Sequence, residues 1–387
     1  MLEDRNSNMA CNENISIAAT RDYVPNLDGL RAASIMLVTC SHLFPFPLPG
    51  GYGVLLFFVI SGFLITRLMF ADASSAMSSV PCRNNNLAIS ELYRFYARRF
   101  FRLYPAVIAY CIMVVGVEVT FHERLLSWIE PLSALAYFAN YLVSSRDQIG
   151  IPYQMPFKIF WSLSVEEHFY VLFPVVFLLV GNQPKRLFAV FATLSLFSIF
   201  LRIVMSYYYP VLAQSHFVNM RTEFRMDSIG YGVCLACLCQ LESFAVFIRE
   251  KLTSYTSVVI GVAIVVIVHF LPASLKVVLR DPAQGAFFII LISTLVFSRR
   301  LKLLSLLLCS SVLVWLGKIS YSLYLWHIPC FYFVCYWIGE SFLSSVISLF
   351  LGIFVAAASY YLVEVPAIKF GRRWIYQKKY TASVGNN

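Results

Sequence analysis

Apolar runs of helical length, separated by short polar punctuation, divide this chain along most of its course. Hydrophobic stretches fall at approximately 27–46, 52–70, 103–121, 131–143, 161–180, 187–207, 226–248, 255–272, 283–298, 312–337 and 343–365. An α-helix needs about 20 apolar residues to cross the hydrocarbon core of a bilayer, with about 17 near the lower limit. The pattern predicts an all-α, polytopic transmembrane helical bundle. The stretch 131–143 is too short to cross and is read as re-entrant or interfacial, which leaves about ten spans.

The basic residues support that count. With the N-terminus inside and 131–143 not crossing, the inner loops and tails hold 20 Lys and Arg and the outer loops hold seven. Such a bias is how orientation is fixed in a bilayer. If 131–143 crossed, every later loop would invert and Lys185, Arg186, Arg299, Arg300, Arg372 and Arg373 would fall outside. The expected organisation is a cytoplasmic N-terminal tail over 1–22, a membrane domain over 23–370 and a basic cytoplasmic tail over 371–387. The first 25 residues are polar and lack the apolar core of a cleaved signal, so the first span is expected to act as an uncleaved anchor in the cell (inner or plasma) membrane. No internal repeat is evident.

Composition agrees. The chain has 387 residues, 59% hydrophobic and 13% charged, against about 25% charge in a soluble domain. A formal net charge of +10 invites a nucleic-acid partner. The basic residues instead sit in short loops beside spans, so the expected partner is membrane lipid and not nucleic acid. Aromatics make up 16% of the chain and suit both interfacial belts and platforms for sugars. The ten cysteines show no framework spacing. Cys234, Cys237 and Cys239 have no histidine or carboxylate among them, so no metal is expected.

Against this apolar background Arg31 and His42 stand out. They lie eleven positions apart in the first stretch. On a helix that offset is about 1100°, roughly 20° past three turns, so the two side chains share a face about 16 Å apart along the axis. Ionisable residues inside a span are functional candidates. The bland alternative is that Arg31 reaches to one surface and His42 to the other.

Six ordered blocks carry a resemblance. Asp28-Gly29-Leu30-Arg31 with His42, then Phe57-Phe58-Val59-Ile60-Ser61-Gly62-Phe63, resembles the opening of the acyltransferase-3 family of integral membrane acyltransferases. Arg98-Arg99-Phe100-Phe101-Arg102-Leu103-Tyr104-Pro105 is similar to its basic motif, and Trp161-Ser162-Leu163-Ser164-Val165-Glu166-Glu167 to its paired-glutamate motif. Arg225-Met226-Asp227 is similar to its Arg-x-Asp element. The stretch from Gly317 to His327, and Glu364-x-Pro366, are similar to its C-terminal blocks. The likeness covers about residues 23–370. Two departures are visible. Leu55 stands where relatives often carry an acid, and His168 after Glu167 is a less usual residue. Many relatives add an esterase domain at the C-terminus; none follows residue 370 here, so a stand-alone form is expected.

The resemblance implies transfer of an acyl group, most often acetyl, onto an extracytoplasmic carbohydrate such as O-antigen or exopolysaccharide. The residues can also be read for that chemistry directly. O-acylation from a thioester needs a base near neutral pH, and histidine supplies one. His42 is therefore the expected base, with Glu166 or Glu167 as the carboxylate that orients it. Arg98, Arg99 and Arg102 at the cytoplasmic mouth of a span, and Arg31 deeper in, are expected to hold the phosphates of acetyl-CoA or another acyl-CoA donor. Positive-inside anchoring is an equal reading for Arg98 and Arg99. Asp28, Trp161, Ser164, Arg225, Asp227 and His327 are expected around the cavity. Arg225 and Asp227 read as a local ion pair. His327 reads either as a cavity residue or as the partner of a polar neighbour, and Glu364 as a structural residue pairing Lys318 or Arg31. The competing function is a transporter that uses Arg31, His42, Glu166 and Glu167 as a proton or anion relay. It would call for internal repeats or paired broken helices.

Overall fold

The computed structural model describes residues 23–79, 85–121, 127–150, 155–298 and 300–384. The expected N-terminal tail at 1–22 lies outside them. Among the described residues the secondary structure is helical throughout. Eleven longer helices carry the architecture: α1 Pro25–Leu43, α2 Gly50–Ser79, α3 Asn85–Phe121, α4 Phe160–Val180, α5 Pro184–Tyr208, α6 Met226–Cys239, α7 Tyr255–His269, α8 Ala273–Phe297, α9 Ser320–Ile338, α10 Phe342–Ser359 and α11 Val365–Val384. The all-α bundle predicted from the apolar runs is thus the fold observed.

Among the described residues, five helical stretches are by themselves long and apolar enough to cross a membrane: Gly50–Ala73, Glu91–Thr120, Pro156–Val180, Pro184–Tyr208 and Phe342–Ile375. A bent pair, Met226–Cys239 with Glu242–Leu252, makes a sixth if the two are one span; they meet at 107°. The other apolar stretches fall short for local reasons. In α1, Asp28, Arg31 and His42 dilute the run. Stretch 255–272 becomes the 15-residue α7. Stretch 312–337 divides at Ile319 between Ser311–Lys318 and α9.

Stretch 131–143 is two short helices, Ile129–Leu135 and Ala139–Gln148, of seven and ten residues. Tyr137 breaks them apart at φ +52°, a conformation that costs a non-glycine residue energy. Arg146 ties the two together through Glu130 and, at 3.1 Å, Ser127. A broken pair of this length cannot cross, as the charge bias required. At the other end, α11 carries the expected C-terminal tail as helix through Val384.

The chain divides into two compact units. The first takes residues 1–36, 51–81 and 176–318. Its core is an apolar cluster including Leu30, Leu55, Phe63, Leu235 and Ile292. Two glycines let α2 and α6 cross backbone to backbone. A Cβ on Gly62 would lie 2.2 Å from the Ile229 carbonyl oxygen, and one on Gly232 would lie 2.0 Å from that of Val59. Close crossing at small residues is how helices associate where lipid removes the hydrophobic drive. The second unit takes residues 37–50, 82–175 and 319–387. There α9 and α10 pack as an antiparallel pair, and α10 starts with a capping box between Ser341 and Ser344.

Candidate active site

The second unit holds the histidine pair. His42 stands one residue before the end of α1, and the Leu43 carbonyl that follows accepts a 2.5 Å hydrogen bond from Ser345 of α10. That bond satisfies one of the orphan carbonyls every helix end exposes, and so anchors the turn bearing His42. His327 lies on α9, fully buried, with Gly352 of α10 packed beside its Cα. His42 Nδ1 and His327 Nε2 are 2.9 Å apart. The ring planes are 7° from parallel and the centroids are 5.2 Å apart, so the rings meet edge to edge and not face to face. His327 Nδ1 is 3.1 Å from the Leu323 carbonyl oxygen. His42 itself is exposed.

Tyr324 packs one turn before His327, ring centroids 5.8 Å apart. Its hydroxyl donates to the Ile159 carbonyl at 2.8 Å and lies 2.5 Å from Ser162 Oγ. Lys158, just ahead of α4, is within electrostatic reach of His42. These contacts pin α9 to the start of α4. Tyr110 adds to the same wall by packing on Phe160 and Trp326, at 5.2 and 5.4 Å.

The paired glutamates are not hydrogen-bonded to this pair, although Glu166 is within electrostatic reach of Tyr324. Instead of opening their span, they sit about 10 Å inside α4. Glu166 accepts a hydrogen bond from Tyr170. Glu167 keeps one buried oxygen, Oε1, without a hydrogen-bond partner, and interacts electrostatically with Glu166 and Arg99. Arg99 stacks its guanidinium 4.2 Å over the Tyr170 ring. Two residue sets expected at opposite ends, the glutamates and the basic motif, therefore form one cluster. The group hydrogen-bonded to His42 is a second histidine and not either carboxylate. Arg98 is exposed and Arg102 half-buried. Ser164 is buried and bonds back to the Phe160 carbonyl at 2.8 Å, which leaves its hydroxyl serving its own helix. Trp161 is half-buried. Glu364 accepts a hydrogen bond from Ser322, and Lys318 lies over the Tyr23 ring at 5.9 Å.

In the first unit Arg31 is half-buried on α1. Asp28 accepts a 2.6 Å hydrogen bond from Tyr23. Both line a cavity of about 200 Å³ with Leu27, Leu64 and buried Arg67. Arg67 went unnoticed in the sequence because it continues an apolar run. Arg225 and Asp227 do not pair with each other. Arg225 donates to Asp281 at 2.7 Å, while Asp227 binds Arg202. Arg202 also donates to Asp281, at 2.9 Å, and Arg280 closes the network at 2.9 Å. The network joins α5, α6 and α8, so these residues hold helices together. Asp281 and Arg202 gave no signal in the sequence beyond being charged residues in or beside apolar runs.

The acyltransferase-3 family, described as an acyltransferase domain, matches residues 24–364. An integral-membrane helical fold and this match define the class: the chain belongs to that family. It is 30% identical over 369 residues to the O-acetyltransferase OatA of Staphylococcus aureus, covering 90% of this chain and 58% of that protein. It is 29% identical over 324 residues to the peptidoglycan O-acetyltransferase OatA of Listeria monocytogenes, covering 80% of this chain and 50% of that one. The chain spans little more than half the length of these curated relatives. No solved structure matches it.

Proposed function

We propose that this protein is an integral membrane O-acetyltransferase that moves an acetyl group from cytoplasmic acetyl-CoA to a hydroxyl of a glycan outside the cell membrane. The observation that carries the reading is an exposed His42 backed by a hydrogen bond to buried His327. An exposed imidazole can reach an acceptor, and a backed imidazole is held in one orientation, as general-base catalysis needs. Family membership supports acyl transfer over the transporter reading. The names of the relatives make the peptidoglycan glycan the first acceptor to test, with O-antigen and exopolysaccharide next.

In this mechanism His42 takes the proton from the acceptor hydroxyl as its oxygen attacks the thioester carbonyl. The C–O bond forms, the C–S bond breaks, and the proton passes to the departing CoA thiolate. The products are the glycan ester and free CoA. Arg31, on the same helix as His42, is assigned to the anionic end of the donor. Arg98 and Arg102 are assigned to the donor's phosphates, with both chain termini cytoplasmic. Tyr324 packs beside His327 and helps limit competing hydrolysis by water.

The test is expression of wild type and His42→Ala in a host lacking its own glycan O-acetylation. Mass spectrometry of peptidoglycan and surface polysaccharide then reads O-acetyl content. Acetylation by wild type alone is the expected result. Equal acetylation by both would remove His42 from the mechanism, and none by either would remove the proposed activity on these glycans.

A further inference from the structure

Resting on that reading, we propose that His327 is a positioning residue that fixes the tautomer of His42 and thereby makes Nε2 of His42 the atom that takes the acceptor's proton. One chain of hydrogen bonds sets the tautomer. A carbonyl oxygen can only accept. His327 Nδ1, 3.1 Å from the Leu323 carbonyl, must therefore carry a hydrogen and donate it. His327 is fully buried, and the hydrogen-bonding groups around it are the backbone of Leu323 and Tyr324 and another imidazole. A second proton would place a cation in the interior with no carboxylate bonded to it, which is costly. The ring is neutral, so its Nε2 is a bare acceptor.

His42 Nδ1 is 2.9 Å from that acceptor and must supply the hydrogen. A neutral His42 with its proton on Nδ1 has its lone pair on Nε2. The edge-to-edge meeting of the rings points Nε2 away from His327, and His42 is an exposed residue. The backbone carbonyl of Leu323 thus sets, through two rings, which nitrogen of His42 is basic. A carboxylate does this work in a serine-protease triad. Here a neutral imidazole does it, and a buried charge is avoided. The proton balance is simple. The acceptor's O–H proton goes to Nε2, the Nδ1 proton stays in the bond to His327, and the Nε2 proton leaves with the CoA thiolate.

The experiment has two arms on the full-length protein in detergent or nanodiscs. In the first, ¹⁵N NMR of histidine-labelled protein, assigned by single His→Gln variants, reads which nitrogen of His42 is protonated. Nδ1 is expected in wild type, with loss of that preference in His327→Leu. In the second, acetyl transfer is followed in His327→Leu and His327→Gln, with unfolding curves recorded for both. For His327→Leu, kcat is expected to fall about 100-fold, the scale of a general-base contribution, with KM for donor and acceptor unchanged. His327→Gln, whose amide oxygen can accept from Nδ1 of His42, is expected to recover to within about tenfold of wild type. A His42 protonated on Nε2, or a full kcat in folded His327→Leu, overturns the proposal. Failure of wild type to transfer acetyl would defeat the functional reading instead, and the NMR arm would still decide the tautomer.

Discussion

Arg225 and Asp227 stand two residues apart, yet each is bonded to a different helix: Arg225 to Asp281 of α8 and Asp227 to Arg202 of α5. What reads as a local pair is two members of a five-residue network in which Arg202 and Asp281 are almost wholly inaccessible. Removing one member leaves its partners as buried, unbalanced charges. Asp281→Ala is expected to cost about 3–5 kcal/mol of stability, measured as a shift in thermal or denaturant unfolding in detergent. Loss of less than about 1 kcal/mol would show the network to be dispensable.

The crossing of α2 and α6 gives a second test. A methyl on Gly232 would meet the Val59 carbonyl oxygen at 2.0 Å and the Phe63 nitrogen at 2.6 Å, both backbone atoms with little freedom to retreat. Gly232→Ala is expected to destabilise by about 1–3 kcal/mol. Gly116 on α3 has open space where its Cβ would be. Gly116→Ala is expected to be neutral or to stabilise by up to about 1 kcal/mol. The two variants, compared by the same unfolding curve, separate a packing glycine from a tolerated one.

The separate bonding partners of the glutamates and of the histidine pair predict unequal kinetics. Glu167 faces Arg99, while the hydrogen bond of His42 goes to His327. Glu167→Gln is expected to lower kcat by less than about tenfold, whereas His42→Ala lowers it by about 100-fold or more. Losses of equal size in steady-state assays would return a carboxylate to direct partnership with the base.

Ser345→Ala removes the bond that fixes the carbonyl after His42. The bond is worth about 1 kcal/mol, so kcat is expected to drop about fivefold with KM unchanged. An effect confined to KM would place Ser345 in substrate binding.

The helices were largely legible because each must satisfy its own backbone in an apolar medium, which forces long apolar runs in the sequence. Their interruptions were less so. Nothing in 131–143 marks Tyr137 as the residue that turns to φ +52°, and nothing in 226–248 announces a 107° bend. His42 stood out as a candidate base because a titratable group in a span is conspicuous. Its partner was not, because His327 is 285 residues away and the pairing exists only once α9 packs beside the end of α1. Glu166 and Glu167 meet a related limit. Two acids together suggest a site, but sequence adjacency does not say which other helix they face.

The most direct measurement of the account is acetyl transfer by purified protein in proteoliposomes, with labelled acetyl-CoA and a peptidoglycan-derived acceptor on opposite sides of the bilayer. Wild type is expected to label the acceptor and release CoA in equal amounts. Folded His42→Ala is expected to lose at least about 100-fold in rate. Transfer at the wild-type rate by folded His42→Ala would contradict the central role given to this histidine.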